Sequence, residues 1–191
     1  MAARVGHDGG VADQLPPGTF VVVSGPPASG KTTLARAVAP ALGLPLIAKD
    51  TIKQALMTVL RVPDVETSRT VGTASVAALL AVAAQTGGAV LDSVWHRSRA
   101  VAGLRRLPGS IVEVFCRCDP EIARHRYALR AATRGAGNFD AQRTAGELWN
   151  EEVAQPVSGG WPVIEVDTNT PVDMTPLIVR ICAEAGLARR E

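Results

Sequence analysis

Residues Gly25 to Thr32 read G-P-P-A-S-G-K-T and fit the phosphate-binding pattern G-x-x-x-x-G-K-[ST]. Each residue type there has a chemical reason. Gly25 and Gly30 allow the backbone to turn with positive φ and to approach an anion closely. Pro26, Pro27, Ala28 and Ser29 complete the loop, whose N–H groups turn inward at the positive end of the helix that follows. Lys31 supplies a cation for β- and γ-phosphates, and Thr32 a hydroxyl for Mg²⁺. Thr33 carries the loop into the helix. The expected ligands are ATP and Mg²⁺.

Other chemistry-bearing residues stand just after apolar runs. Asp50 follows Pro45–Ala48. It reads as a helix N-cap, or as a carboxylate that orients a substrate hydroxyl and takes its proton during attack on the γ-phosphate; the two roles are compatible. Asp92 closes the run Ala89–Asp92 and has the form of a Walker-B carboxylate, which holds Mg²⁺ directly or through water. Trp95 and His96 follow, and a lone histidine there reads first as a hydrogen-bonding residue.

Between Asp119 and Arg134 a basic helix is expected. At about 100° per residue, Ile122 and Leu129 share one face. Arg126 lies near that face, Arg130 and Arg134 step off its edge, and Arg124 points away. The helix runs into Gly135-Ala136-Gly137-Asn138. The pattern reads as a lid near residues 126–140 that closes on phosphates, with Arg126 and Arg130 foremost, or as a solvated basic face. The segment Asp167 to Asp173, which includes Thr168, reads as a loop that meets a nucleobase through its backbone, or as an ordinary turn. Arg69 reads as a contact to an anionic or hydroxyl-rich acceptor, or as a solvent-facing arginine.

The elements that must position these residues are legible as alternating patterns. Five strand-like runs are expected at Phe20–Ser24, Pro45–Ala48, Ala89–Asp92, Ile111–Cys116 and Val163–Val166. Helices are expected at 31–42, 51–60, 66–85, 97–107, 120–134, 141–153 and 172–185. Short apolar strands alternating with helices imply an α/β architecture with a mostly parallel sheet covered on both faces. Ligands of such sheets sit beyond the carboxyl ends of the strands. Residues 1–18 read as a loose tail and 19–191 as a single domain.

Composition narrows the function classes. The chain has 191 residues and a net charge of +2, which makes a nucleic-acid partner unlikely on electrostatic grounds. Among its 20 basic side chains only Lys31, Lys49 and Lys53 are lysines. Cys116, Cys118 and Cys182 lack metal-site spacing and read as reduced thiols of a cytoplasmic protein. Val76–Ala84 is apolar but too short for a membrane span.

The stretches S-G-P-P-A-S-G-K-T-T-L-A, K-D-T-I-K, V-L-D-S-V-W-H-R-S-R, C-D-P-E-I-A-R-H-R-Y and V-D-T-N-T-P-V-D together resemble the small P-loop kinases of the polynucleotide-kinase, gluconate-kinase and chloramphenicol-phosphotransferase kind. The resemblance covers most of the chain from Phe20 on. It implies a three-layer P-loop NTPase fold with an arginine-bearing lid. It also implies transfer of the γ-phosphate of ATP to a hydroxyl with Mg²⁺, an acidic residue at Asp50, and an adenine-side loop around Thr168. The acceptor it leaves open, since the branch spans sugars, antibiotics and nucleic-acid ends. A small hydroxyl-bearing molecule is the leading expectation. A nucleotide switch without an acceptor and a nucleic-acid 5′-end kinase are the alternatives. A guanine-reading N-K-x-D motif does not occur, and aromatic residues for a strand-binding groove are few.

Overall fold

In the computed structural model of the chain, the described residues are 15–131, 139 and 142–187. Arg134 and the expected loop Gly135–Asn138 lie outside them, as do residues 1–14. Five strands form one sheet: β1 Thr19–Ser24, β2 Leu46–Ala48, β3 Gly88–Asp92, β4 Ser110–Arg117 and β5 Val163–Asp167. Their order is β2-β3-β1-β4-β5, and every pairing is parallel. The helices are α1 Lys31–Ala41, α2 Lys49–Val59, α3 Val65–Ala83, α4 Arg97–Leu104, α5 Pro120–Ala131, α6 Ala145–Leu148, α7 Glu151–Ala154 and α8 Met174–Leu187.

The pleat of β1 explains the three layers. Val21 and Val23 face one way, onto Leu34 and Val38 of α1 and Leu177, Ile178 and Ile181 of α8. Phe20 and Val22 face the other way, onto Leu79 of α3, Leu104 of α4 and Trp95. All six residues of β1 are buried, as a central parallel strand requires.

Register then places the chemistry. Asp92 lies level with Val23 on one side and with Ala48 on the other. Gly25 and Asp50 each follow those partners by two residues, so the loop after β1, Asp92 and Asp50 meet at one end of the sheet. Strand β1 sits between β3 and β4, where the connections diverge to opposite sides. Such a switch point opens a crevice for ligands.

Three expectations are corrected. The single helix expected at 141–153 is two single turns. Thr144 caps α6 by accepting from Glu147 N (3.2 Å), but Trp149 leaves helical geometry at φ −124°, ψ 54°, and α7 starts afresh after Asn150. Helix α5 does not bury Ile122 and Leu129, which are 37% and 61% exposed. It buries Ala123 and Tyr127 instead, because the aromatic partner of Tyr127 is Trp149, from a distant segment. Leu15–Gly18, expected in the loose tail, are tied down. Leu15 packs on the core, Thr19 Oγ1 donates to Pro16 O (2.6 Å), and Gly18 bonds to Gly87 and Ser110 at 2.8 and 3.0 Å.

A charged residue sits in the middle of β4. Glu113 of β4 is wholly buried and accepts from Ser24 Oγ (2.5 Å), Val157 N (2.7 Å), Ser158 N (2.9 Å) and Trp161 Nε1 (3.0 Å). These four donors surround the carboxylate as a buried acceptor requires. They also tie the end of β1, just before the phosphate loop, to the segment that leads into β5. Glu113→Leu leaves all four donors without an acceptor. Its unfolding free energy is expected to fall by about 3–5 kcal/mol in denaturant titration. A loss below about 1 kcal/mol, the worth of an exposed ion pair, would contradict this role.

Candidate active site

The loop between β1 and α1 is shaped by positive backbone angles. Gly25, Ala28 and Gly30 have φ of 133°, 62° and 89°. A Cβ on Gly25 would lie 2.6 Å from the Cys116 carbonyl oxygen, so only glycine fits there. The alternation of hand turns successive N–H groups to one side, the concave form that binds anions. Ser29 is buried, its N–H donates to Pro26 O at 3.2 Å, and its hydroxyl has no hydrogen-bond partner among the described residues.

Lys31 lies under this loop, 6% exposed, and its Nζ donates to Pro26 O (2.5 Å). Burial lowers its pKa from 10.5 to about 8. Asp92 and Asp50 pull the other way, and Arg130 adds repulsion. Thr32 Oγ1 donates to Asp92 Oδ2 (2.7 Å). Asp92 is itself buried, and burial holds its carboxyl above the usual aspartate range. A desolvated carboxylate beside a hydroxyl, at the mouth of a phosphate cradle, is a donor set that suits Mg²⁺.

A cavity of about 580 Å³ opens above these groups. It brings together Pro27, Ala28, Gly30, Lys31, Thr32, Thr33, Asp50, Asp92, Arg126, Arg130 and Thr168. Gly25, Pro26 and Ser29 shape the loop without lining the cavity. Asp50 is at the second position of α2, with Ala48 as the N-cap. The capping role considered for Asp50 is therefore not its position. Lys49 Nζ donates to Asp50 Oδ1 (3.2 Å), and the carboxylate is about half exposed, at 47%.

The arginines divide. Arg126 donates to the carbonyls of Thr168 and Asn169, both at 2.9 Å, and reaches Cys118 Sγ at 3.6 Å. It fixes the loop after β5, whose Thr168 also bonds to Arg117 O through N–H and hydroxyl, both at 2.9 Å. Thr168 packs 3.5 Å from where a Cβ on Gly30 would be, so this loop closes directly on the phosphate loop. Arg130 stacks 5.5 Å from the Tyr127 ring centroid and lines the cavity beside Lys31.

Some participants were not visible in sequence. Trp149 meets Tyr127 edge to face at 5.3 Å, and its Nε1 donates to Pro27 O at 3.4 Å. Arg124, expected to point away, lies 5.9 Å from the Trp149 ring centroid. It belongs to the same aromatic cluster as Tyr127 and Trp149. His96 begins α4, and burial, then Arg99, lowers its pKa. None of the described helices is long and apolar enough to cross a membrane.

The parallel order, the glycine cradle and the Thr32–Asp92 pair define a P-loop nucleotide-binding fold of three-layer α/β type. The chain belongs to the AAA domain family, whose model matches residues 20–156. A sequence comparison with curated proteins matches none of them. Among solved structures, the fold is similar to that of a proposed kinase from Chloroflexus aurantiacus (TM-score 0.76, 24% identity, 89% of this chain and 97% of that one). It is similar to a gluconokinase from Sinorhizobium meliloti (TM-score 0.56, 22% identity, 90% and 94%). It is also similar to the APS kinase of Mycobacterium tuberculosis in complex with AMPPNP and APS (TM-score 0.55, 16% identity, 92% and 100%).

The lowered pKa of Lys31 makes nucleotide binding pH-dependent. A bound phosphate favours the ammonium and raises its pKa. Binding therefore takes up a proton wherever free Lys31 has lost one, that is, above about pH 8. Between that pH and about pH 7, where the terminal phosphate of ADP is already ionised, affinity is expected to be flat. Above about pH 8, affinity should fall, approaching tenfold per pH unit. Calorimetric titration across this range checks it, and constant affinity well above pH 8 would contradict a buried titrating Lys31.

Proposed function

We propose that the chain is an ATP-dependent phosphotransferase that moves the γ-phosphate to a hydroxyl of a small molecule. The observation that carries this reading is the placement of Asp50. Its half-exposed carboxylate opens into the same cavity as Lys31, Thr32 and Asp92. A nucleotide site needs a cradle and a cation; a solvent-accessible carboxylate across from them is what an attacking hydroxyl needs.

Each residue then has a task. The N–H groups of the loop and Lys31 bind the β- and γ-phosphates. Thr32 and Asp92 would hold Mg²⁺, which supplies charge neutralisation on the phosphate oxygens when bound. Asp50 accepts the proton of the acceptor hydroxyl as its oxygen bonds to phosphorus and the bond to ADP breaks. Arg130, over the cavity beside Lys31, meets the charge that develops on the transferred group. Arg126 positions the nucleoside through the Thr168–Asn169 loop that it anchors. The arrangement works by positioning and charge, the two terms that dominate phosphoryl transfer. The gluconokinase and APS kinase folds support a small acceptor.

Asp50→Asn tests this reading. The carboxylate does not cap α2, so thermal stability and ATP affinity should stay close to wild type. Transfer to the acceptor should fall by roughly 10²–10⁴-fold, the range for a lost general base. The three quantities are measured on one preparation. Unchanged turnover would remove Asp50 from the mechanism and leave Asp92 as the carboxylate to test.

A further inference from the structure

Beside Asp50, α2 packs on α3, and α6 is joined to α3 through Arg69 and Glu147. Lys49 Nζ bonds to Asp50 (3.2 Å) and reaches α3, where it lies 3.8 Å from the place a Cβ on Gly72 would occupy. Gly72 is three residues along α3 from Arg69, so the two share a helix face, with about 5–6 Å between such Cβ positions. Arg69 forks onto Glu147 through Nε (3.1 Å) and Nη2 (2.9 Å). Arg143 Nη1 donates to the same carboxylate (2.8 Å). Asp50, Lys49, Gly72, Arg69 and Glu147 thus form an unbroken row of neighbours.

Neither packing nor stability calls for this arrangement. Gly72 is not among the positive-φ glycines, and a Cβ there would make only ordinary contact with Lys49. A glycine inside a helix costs about 1 kcal/mol relative to alanine. The Arg69–Glu147 pair is exposed, with Arg69 at 49%, and such pairs contribute about 0–1 kcal/mol. Yet two guanidiniums converge on one carboxylate and leave a net positive charge. The glycine leaves room above Lys49, within reach of Asp50, and planar guanidinium forks match carboxylate and phosphate groups.

We propose that this corner is the acceptor site, and that the acceptor is an anionic small molecule. Its hydroxyl lies at Asp50, its carbon skeleton crosses the open face of Gly72, and its carboxylate or phosphate takes the place of Glu147 on Arg69 and Arg143. The proposal rests on the phosphotransferase reading and adds the chemical class of the acceptor to it. Arg69 and Gly72 become the residues that set specificity.

The test uses the full chain saturated with ADP, so that the phosphate loop is already filled. Sugar acids, hydroxy acids and sugar phosphates are titrated, each against its neutral parent, by calorimetry and thermal shift. Charged probes should bind at least tenfold more tightly than their neutral parents, and the acid and phosphate arms tell which anion is preferred. Arg69→Gln should lower that affinity tenfold or more, while Arg180→Gln on α8 leaves it unchanged. Gly72→Ala should raise the melting temperature and still weaken the charged probe, which a merely structural glycine would not do. Neutral parents that bind equally well, charged binding that survives Arg69→Gln, or no charged probe bound at all would overturn the site. The ADP titration reports on the phosphate loop separately, so these failures are distinct from failure of the nucleotide reading.

Discussion

The rest of the site depends on the burial of one ammonium group. Lys31 is held beneath a loop that is curled by positive φ at Gly25, Ala28 and Gly30. Burial, opposed in part by the nearby carboxylates, brings its pKa down to about 8, which means that the folded chain holds this cation against the preference of water. A desolvated cation of this kind calls for an anion, and the concave loop presents N–H groups to the same space. The sheet supplies the rigidity this requires. Glu113 clamps Ser24 just before the loop, and Thr32 and Asp92 lock the start of α1 to the end of β3. A looser scaffold would let water reach Lys31, and much of its electrostatic force on a phosphate would be lost.

Two segments close over this centre by different means. On one side, Arg126 of α5 grips the backbone of the loop after β5. Farther along, Tyr127 and Trp149 join α5 to the segment that returns from beyond it, and the indole reaches Pro27 of the phosphate loop. Glu147, two residues before that indole, is tied to α3 through Arg69. The return segment therefore touches the phosphate loop and α3 at once, and through Trp149 and Tyr127 it also touches α5.

Much of this was legible in the chain. The strands and long helices fall within a few residues of their expected places, because buried parallel strands are short apolar runs bounded by turn residues. Asp50 and Asp92 could be named because strand ends in such sheets point to the ligand crevice. Their common level follows from register, which the pattern does not print. Glu113 did leave a signal, a charge inside an otherwise apolar strand, but its four donors come from β1 and from residues 157–161, all remote in sequence. The face of α5 was misread for a similar reason. Two aliphatic residues seven positions apart share one face of the helix, while the buried stripe is set by Tyr127 and a tryptophan supplied from beyond α5. The Arg69–Glu147 contact spans α3 and α6, and periodicity carries no information about such pairs.

The central claim is that this site transfers a phosphoryl group and does not merely hold a nucleotide. The most direct measurement incubates the wild-type chain with ATP, Mg²⁺ and a library of hydroxyl-bearing small molecules, and follows ADP release together with product mass. The account predicts at least one compound heavier by a single phosphoryl group, formed in step with ADP. Tight ATP binding with no phosphorylated product across the library, or ADP release matched only by free phosphate, would contradict it.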